Sequence, residues 1–364
     1  MRVGLLGFGT VGSHFYELVR GRQDVQVKTV LSRRPRTGVD ARVTANVQDI
    51  LQDPEIGIVV EVMGGLHPAY EYVCAAMRAG KHVVTANKLL MCDKYGELVS
   101  LAASCGVCLR CTAAVGGGIP WLTSLAGAAQ VDTLTAVEGI LNGTTNYILS
   151  AMTRRGIGFS EALQEAQDLG YAEADPAADV DGLDARRKLS LSADMAFGVI
   201  LREEEVPCLG IGHITQGDIA AARDRGQVYK LVASAARREG RVSAYVCPAL
   251  FAASTPEANL EGTGNLITLY GERLGRQSFL GAGAGGWPTG ANVLRDCLAV
   301  NGGCESFYSS AMVPQAVDNT AAEGKWLFRV NGAYTTKRES VAEAFSDYAR
   351  CLKEDPCAFM AQMR

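Results

Sequence analysis

The chain has 364 residues, 48% of them apolar and 20% charged, with a formal net charge of -4. This is the balance of a globular protein of about two domains. It carries no basic block suited to nucleic acid or a membrane surface, and no apolar run long enough to span a bilayer.

Met1 leads directly into a first apolar run, Arg2 to Leu6, with no export signal before it, and a cytoplasmic protein is expected. Gly7-Phe8-Gly9-Thr10-Val11-Gly12 follows, then a helical stretch to about Val19 and a second β-rich run, Val25 to Leu31. A G-x-G-x-x-G is informative only in this strand, turn, helix, strand setting. There Gly7 makes the turn, Gly9 admits a pyrophosphate and Gly12 lets helix and strand pack closely. Phe8, Thr10 and Val11 complete the loop, and the unpaired N–H groups at the helix start attract the anion. An NAD-selecting fold usually ends its second strand with Asp or Glu. Here Ser32 is followed by Arg33, Arg34 and Arg36. Guanidinium groups bind a 2′-phosphate that a carboxylate would repel, so NADP(H) is expected, with NAD(H) as the alternative.

Strand and helix continue to alternate through Ile56 to Val62, Pro68 to Ala79 and His82 to Thr85, which predicts a parallel sheet. Ala86-Asn87-Lys88 falls just beyond the carboxyl end of the last of these strands, where open α/β sheets bind ligands. Lys88 is therefore placed at the nicotinamide. Cys105, Cys108 and Cys111 form a C-x-x-C-x-x-C, but without a fourth cysteine and following proline it reads as a helix end turning into a strand, Val107 to Ala114. Next come three glycines, Gly116 to Gly118, which let the backbone turn tightly and aim carbonyls inward. A strand from Leu134 to Ile140 leads to Asn142-Gly143-Thr144-Thr145-Asn146 and another helix.

Leu169 to Lys188 then packs one Glu, four Asp and a Lys into a short acidic stretch. Asp184 and Lys188 lie four residues apart at the start of a predicted helix, on one face and within contact range. A lysine beside carboxylates in a cleft is a candidate proton donor, because burial and neighbouring charge set its pKa. Taken alone, D-x-x-x-K is more commonly a surface ion pair. Further on, a helix is expected from Gly217 through Lys230-Leu231, with strands near Val242 to Val246, before Gly281-Ala282-Gly283-Ala284-Gly285-Gly286-Trp287-Pro288.

GFGTVG (7–12), TANKLL (85–90), AAVGGGIP (113–120), GILNGTTNYIL (139–149), LGYAEADPAADVDGLDARRKL (169–189) and GAGAGGWPTGANVLRD (281–296) occur in this order. In that order and spacing the chain resembles homoserine dehydrogenase, over about residues 1 to 300. The resemblance implies a monofunctional enzyme interconverting aspartate 4-semialdehyde and homoserine with NAD(P)H, on the branch toward threonine and methionine. It implies an α/β fold: a Rossmann-type NAD(P)-binding domain plus an α+β catalytic and dimerisation domain. The expected boundaries are 1–112 for the first domain, with 285–320 returning to it, 113–284 for the second, and 321–364 as an appendage with no assigned role. By motif, Lys188 matches the general acid, Asp184 a substrate-binding carboxylate beside it, and Glu173 the residue near the substrate's amino group. Asp179 matches a supporting acid, Lys88 a residue at nicotinamide and substrate, and Gly283 part of the cofactor loop.

Members of this family often hold a monovalent cation such as sodium on backbone carbonyls equivalent to Val115, Gly117 and Ile119. Many of them have a glutamate where this chain has Thr112, which leaves cation binding open. The tail beyond residue 300 is too short for the regulatory domain of many bacterial members, and reads as one strand, Lys325 to Val330, and one helix, Glu339 to Lys353. Two other functions remain: a related dehydrogenase for another amino-acid semialdehyde, or a non-catalytic NADP(H) sensor. A sensor needs no proton donor, so Lys88, Glu173, Asp184 and Lys188 together favour an enzyme. The expected partners are a small-molecule substrate and a second copy in a homodimer.

Overall fold

The computed structural model describes residues 1–303 and 312–364. Its chain divides into two compact units, Met1–Gly127 with Ala284–Val313, and Ala128–Gly283 with Pro314–Arg364. Residues 304–311 of the segment expected to return to the first domain lie outside the described residues.

In the first unit, β1 (Arg2–Leu6), β2 (Gln26–Leu31), β3 (Arg42–Thr44), β4 (Ile56–Glu61), β5 (His82–Thr85) and β6 (Leu109–Arg110) form one sheet in the order β3-β2-β1-β4-β5-β6. Every pairing is parallel, which with that order is the Rossmann arrangement. Helices α1 (Thr10–Val19), α2 (Gln48–Leu51), α3 (Ala69–Arg78), α4 (Lys88–Cys105) and α5 (Trp121–Ala129) follow in chain order. Val3, Leu5, Val30, Ile58 and Val60 are fully buried, as expected of parallel strands covered on both faces.

Strand β6 is far shorter than the expected run from Val107 to Ala114. The buried carboxylate of Asp296 accepts from the backbone N–H of Thr112 at 2.8 Å. That bond holds the chain off the sheet, and Thr112–Ala114 forms a 3₁₀ turn instead.

The second unit contains α6 (Gly143–Arg155), α7 (Phe159–Asp168), α8 (Ala177–Val180) and α9 (Leu183–Phe197) between β7 (Leu134–Ile140) and a short strand, β8 (Val199–Ile200), which α10 (Gln216–Asp224) follows. Strands β9 (Gln227–Arg238), β10 (Arg241–Ala252), β11 (Gly264–Gly271) and β12 (Gly275–Ala282) come next. After α11 (Gly286–Asn301) of the first unit and the short β13 (Val313–Pro314), the tail supplies β14 (Glu323–Val330), β15 (Ala333–Ser340), α12 (Val341–Glu354) and β16 (Phe359–Met363). The mixed sheet runs β12-β11-β7-β9-β10-β16-β14-β15. The second unit is thus an α+β domain, as expected.

Two local expectations fail here. The helix predicted through Lys230 and Leu231 stops at Asp224; Gly226, at φ +66, turns the chain into β9, the strand between β7 and β10. Seven consecutive residues of β9, Tyr229 to Ala235, are buried, so the strand shows no alternation. The tail, read as an appendage of one strand and one helix, has three strands paired into the main sheet. Trp326, Phe328, Tyr348 and Met360 share a core with Tyr245 and Cys247 of β10.

Lys230 is 1% exposed on β9. Its Nζ lies 2.8 Å from Asn146 Oδ1 and 2.5 Å from the Leu260 carbonyl, with Ser150 Oγ at 3.4 Å. These partners are neutral, so burial lowers its pKa from 10.5 to about 8, helped by the charge of Arg154. A lysine depressed in the folded state costs stability in full below the folded pKa and nothing above the unfolded one, so stability rises between them. Relative to Lys230→Met, the native chain is expected to gain on the order of 2 kcal/mol as pH rises from about 8 to about 10. Urea unfolding at both pH values measures it, and parallel curves for the two proteins would contradict a depressed Lys230.

Candidate active site

The acidic segment folds around one amide. Asn142 caps α6, its Oδ1 accepting from Thr145 N at 2.8 Å. Its Nδ2 then points out of the helix and donates to Asp179 Oδ1 at 2.6 Å and Asp184 Oδ2 at 2.9 Å. Gly182, at φ +81, makes the turn between α8 and α9 that lets both carboxylates converge. An added Cβ there would sit 2.9 Å from Cys208 Sγ, so the turn has no room for a side chain. Thr144 Oγ1 adds a contact to Asp179 Oδ2 at 3.2 Å.

One helical turn beyond Asp184, Lys188 Nζ lies 2.7 Å from Asp184 Oδ2 and donates to the Leu141 carbonyl at 2.8 Å. Asp184 and Lys188 are 5% and 7% exposed, so this is a buried pair and not the surface ion pair that such a spacing more commonly makes. Burial holds the Asp179 carboxyl above its ordinary value; the Asn142 hydrogen bond opposes that, and the Asp184 charge adds to it. The Leu141 carbonyl also accepts from Asn265 Nδ2 at 2.8 Å, and Asn265 packs where a side chain on Gly283 would stand, 2.0 Å from its Cβ position. Gly283 therefore makes room for the residue that shares the lysine's carbonyl anchor. Glu173 differs from the rest. It lies exposed on the loop after α7, its carbonyl accepting from Gln167 Nε2 at 3.1 Å, and its carboxylate joins none of the hydrogen bonds described for this cluster.

In the first unit the glycine turn has the form a pyrophosphate needs. Gly7 takes φ +100, and a Cβ on Gly12 would lie 2.3 Å from the Gly7 carbonyl. Nothing lies within 4 Å of a Cβ position on Gly9, so the approach over that residue is open. Helix α1 starts at Gly9 with no side-chain cap, leaving its first N–H groups for an anion, and Thr10, Val11 and Gly12 are its first residues. Arg33 and Arg34 are exposed after β2. Arg36 folds back, its Nε donating to Ser32 Oγ at 3.0 Å and its guanidinium 5.5 Å from the centre of the Phe8 ring.

Lys88 opens α4. Asn87 caps that helix by accepting from Leu90 N at 3.1 Å and donates to the Gly65 carbonyl at 2.6 Å. Thr85 in turn donates at 2.6 Å to Glu61, whose carboxyl is raised by burial. Among the described residues, no group of three or more His, Cys, Asp or Glu is arranged to hold a metal, Cys105, Cys108 and Cys111 included.

Two of the carbonyls assigned to a monovalent cation, those of Gly117 and Ile119, already have hydrogen-bond donors. Asn292 of α11 donates its amide to the Gly117 carbonyl and, at 2.9 Å, to that of Ile119. Ile119 O also accepts from Trp121 N at 2.7 Å, which fills both of its lone pairs. Thr112 is engaged as well, its hydroxyl 2.8 Å from Asp296 Oδ1 and 3.0 Å from Thr123 Oγ1. Val115, fully buried, lies between these groups in sequence.

Sequence reasoning missed four residues: Asn142, Asn265, Asn292 and Glu61. Asn142 could have been found as an N-cap, since Asn-Gly-Thr-Thr directly precedes a helix. The other three act across long stretches of chain and leave no local signal.

Two family models match the chain: homoserine dehydrogenase over residues 120–298, and the NAD-binding domain of homoserine dehydrogenase over residues 7–111. The homoserine dehydrogenase of Bacillus subtilis is 39% identical over 314 residues, which is 82% of this chain and 72% of that protein. That of Synechocystis is 41% identical over 318 residues, 83% and 73% of the two chains. The solved structure of a homoserine dehydrogenase from Thiobacillus denitrificans superposes with a TM-score of 0.92 at 29% identity, covering 100% of this chain and 98% of its own.

The amide of Asn142 separates two carboxylates, and Ser in its place would keep a capping oxygen while removing the bridge. Asn142→Ser is expected to lose on the order of 1–3 kcal/mol at neutral pH. Without the amide, Asp179 rises further above its unfolded pKa, so the cost is present at high pH and relieved as pH falls and the carboxyl protonates. Unfolding measured at neutral and mildly acidic pH tests this; an equal loss at both would leave the bridge with no electrostatic role.

Proposed function

The chain belongs to the homoserine dehydrogenase family and is an NAD(P)-dependent oxidoreductase acting on a CH–OH group; within that activity we propose that Lys188 is the proton-transferring group. A bound dinucleotide supplies or accepts the hydride. What the protein must add is a proton at the substrate oxygen when aspartate 4-semialdehyde is reduced, and a place for that proton when homoserine is oxidised. The observation that carries the proposal is the buried Lys188–Asp184 pair. An ammonium has three N–H groups, and two of those on Lys188 are directed at Asp184 and Leu141. The third remains for a substrate oxygen. Asp184 lies against the lysine and fixes its direction, and the Asn142 amide donates to both Asp184 and Asp179.

The substrate is a zwitterion whose ammonium needs an anionic partner. We assign that role to Glu173, with Asp179 and Asp184 as the acids around the bound substrate and Lys88 at the nicotinamide. Glu173 lies on the loop between α7 and α8, the segment that also carries Asp179 toward the cluster. For the cofactor, Gly7 to Gly12 provide the pyrophosphate turn. Arg33, Arg34 and Arg36 with Ser32 offer cations and no carboxylate at the ribose, which favours NADPH over NADH. A homodimer, action in the cytoplasm and a place on the branch toward threonine and methionine complete the proposal. Leu280, 70% exposed on edge strand β12, offers apolar surface for a second copy.

Lys188→Ala is expected to lower turnover by roughly two to four orders of magnitude while leaving the dissociation constant of NADPH nearly unchanged. Near-normal turnover in the purified variant would remove Lys188 from the chemistry. Replacing Arg33 and Arg34 together with Ala is expected to raise KM for NADPH much more than for NADH, since only the former offers a 2′-phosphate. Steady-state kinetics with both cofactors measures it, and equal losses would make the arginines structural.

A further inference from the structure

We propose that this protein holds its glycine loop with the side chain of Asn292 in place of a monovalent cation, and that it neither binds nor requires such an ion there. The loop turns at Gly116, φ +84, and Gly117, φ +55; the Gly116 carbonyl accepts from Ile119 N at 2.8 Å, whereas the buried Gly117 carbonyl takes its donor from a side chain, Asn292. An ion is one solution. The amide of Asn292 is another, and it sits on α11, a helix whose own close packing fixes its position. A Cβ on Gly290, one half-turn before, would meet Phe15 N at 3.0 Å, and one on Gly286 would meet the His14 ring at 2.2 Å.

Which way the amide points is decided by its neighbours. On one side are two carbonyl oxygens, those of Gly117 and Ile119, which require the N–H₂. On the other is the Arg295 guanidinium, which donates to Asn292 Oδ1 and requires the oxygen. A flipped amide would set oxygen against two oxygens and N–H₂ against a cation, so both faces select one orientation. Asn292 is also fully buried, and its orientation is thereby locked.

Three further features work against an ion. Ile119 O has both lone pairs filled by Asn292 and Trp121. The Arg295 charge stands one side chain away and repels a second cation. The carboxylate that Thr112 contacts, Asp296, is engaged by Arg110 Nε at 2.9 Å and by the backbone N–H and hydroxyl of Thr112, both at 2.8 Å. Thr112, Asn292 and Arg295 form a consistent set: an uncharged residue in the loop, a donor amide across from it, and a cation behind the amide.

The test compares the full-length protein in sodium, potassium and choline chloride at equal ionic strength, by thermal unfolding and by the line width of sodium-23 resonance on titration with protein. The expected result is a Tm that does not distinguish the three salts, no protein-dependent broadening, and equal turnover in each. In choline chloride, Asn292→Ala should unfold several degrees lower than the native chain, because two buried carbonyls lose their donor. A saturable rise in native Tm with sodium or potassium over choline would overturn the proposal, since Asn292 would then have to present its oxygen to a bound ion. An Asn292→Ala variant as stable as the native chain would overturn it equally, by showing that the amide tethers nothing.

Discussion

A lysine can serve as a proton donor in a buried site only if the fold keeps it charged there, and one carboxylate oxygen of Asp184 carries that constraint. Asp184 Oδ2 meets Lys188 Nζ at 2.7 Å and Asn142 Nδ2 at 2.9 Å. A buried ion pair recovers its desolvation cost only when geometry and further hydrogen bonds are good. Much of the second unit supplies them. The cap of α6 fixes Asn142, the Gly182 turn brings α8 and α9 together around it, and the Leu141 carbonyl completes the lysine's coordination beside Asn265. Gly283 is without a side chain so that Asn265 can stand there.

The same economy of polar groups recurs at two other buried places. Lys230 anchors the start of α6 to the loop at Leu260 through Asn146, but with neutral partners, and its pKa falls accordingly. Both lysines are buried, and they differ in their partners: Lys188 lies against a carboxylate, Lys230 against neutral oxygens only. In the first unit, Asp296 gathers Arg110 and Thr112, and Asn292 with Arg295 closes the glycine loop. Asparagine amides thus act at each turning point, because they can satisfy a donor and an acceptor without adding charge.

Features whose cause is local were legible in the sequence. The turn at Gly7 and the tight packing at Gly12 are backbone requirements that only glycine meets, and the Asp184–Lys188 spacing puts two charges on one helix face whatever surrounds them. Burial of that pair was not legible, because it depends on Asn142, 42 residues away from Asp184 in the chain. Asn292 reaches Gly117 across 175 residues, beyond any spacing rule. Strand β9 is buried on both faces and lacks alternation, so its sequence does not distinguish it from a helix. Strand β15 was missed because Ala333 to Arg338 are all exposed and polar or small for the most part, which is how an edge strand avoids further pairing. Strand β6 is shorter than its apolar run because Asp296, 184 residues further on, takes the N–H that would have continued it.

The proton-transfer role of Lys188 is tested most directly by a crystal structure of the protein with homoserine and oxidised cofactor bound. The substrate hydroxyl is expected about 3 Å from Lys188 Nζ, with the Asp184 contact retained. A hydroxyl held by another side chain, with Lys188 still directed only at Asp184 and Leu141, would contradict it.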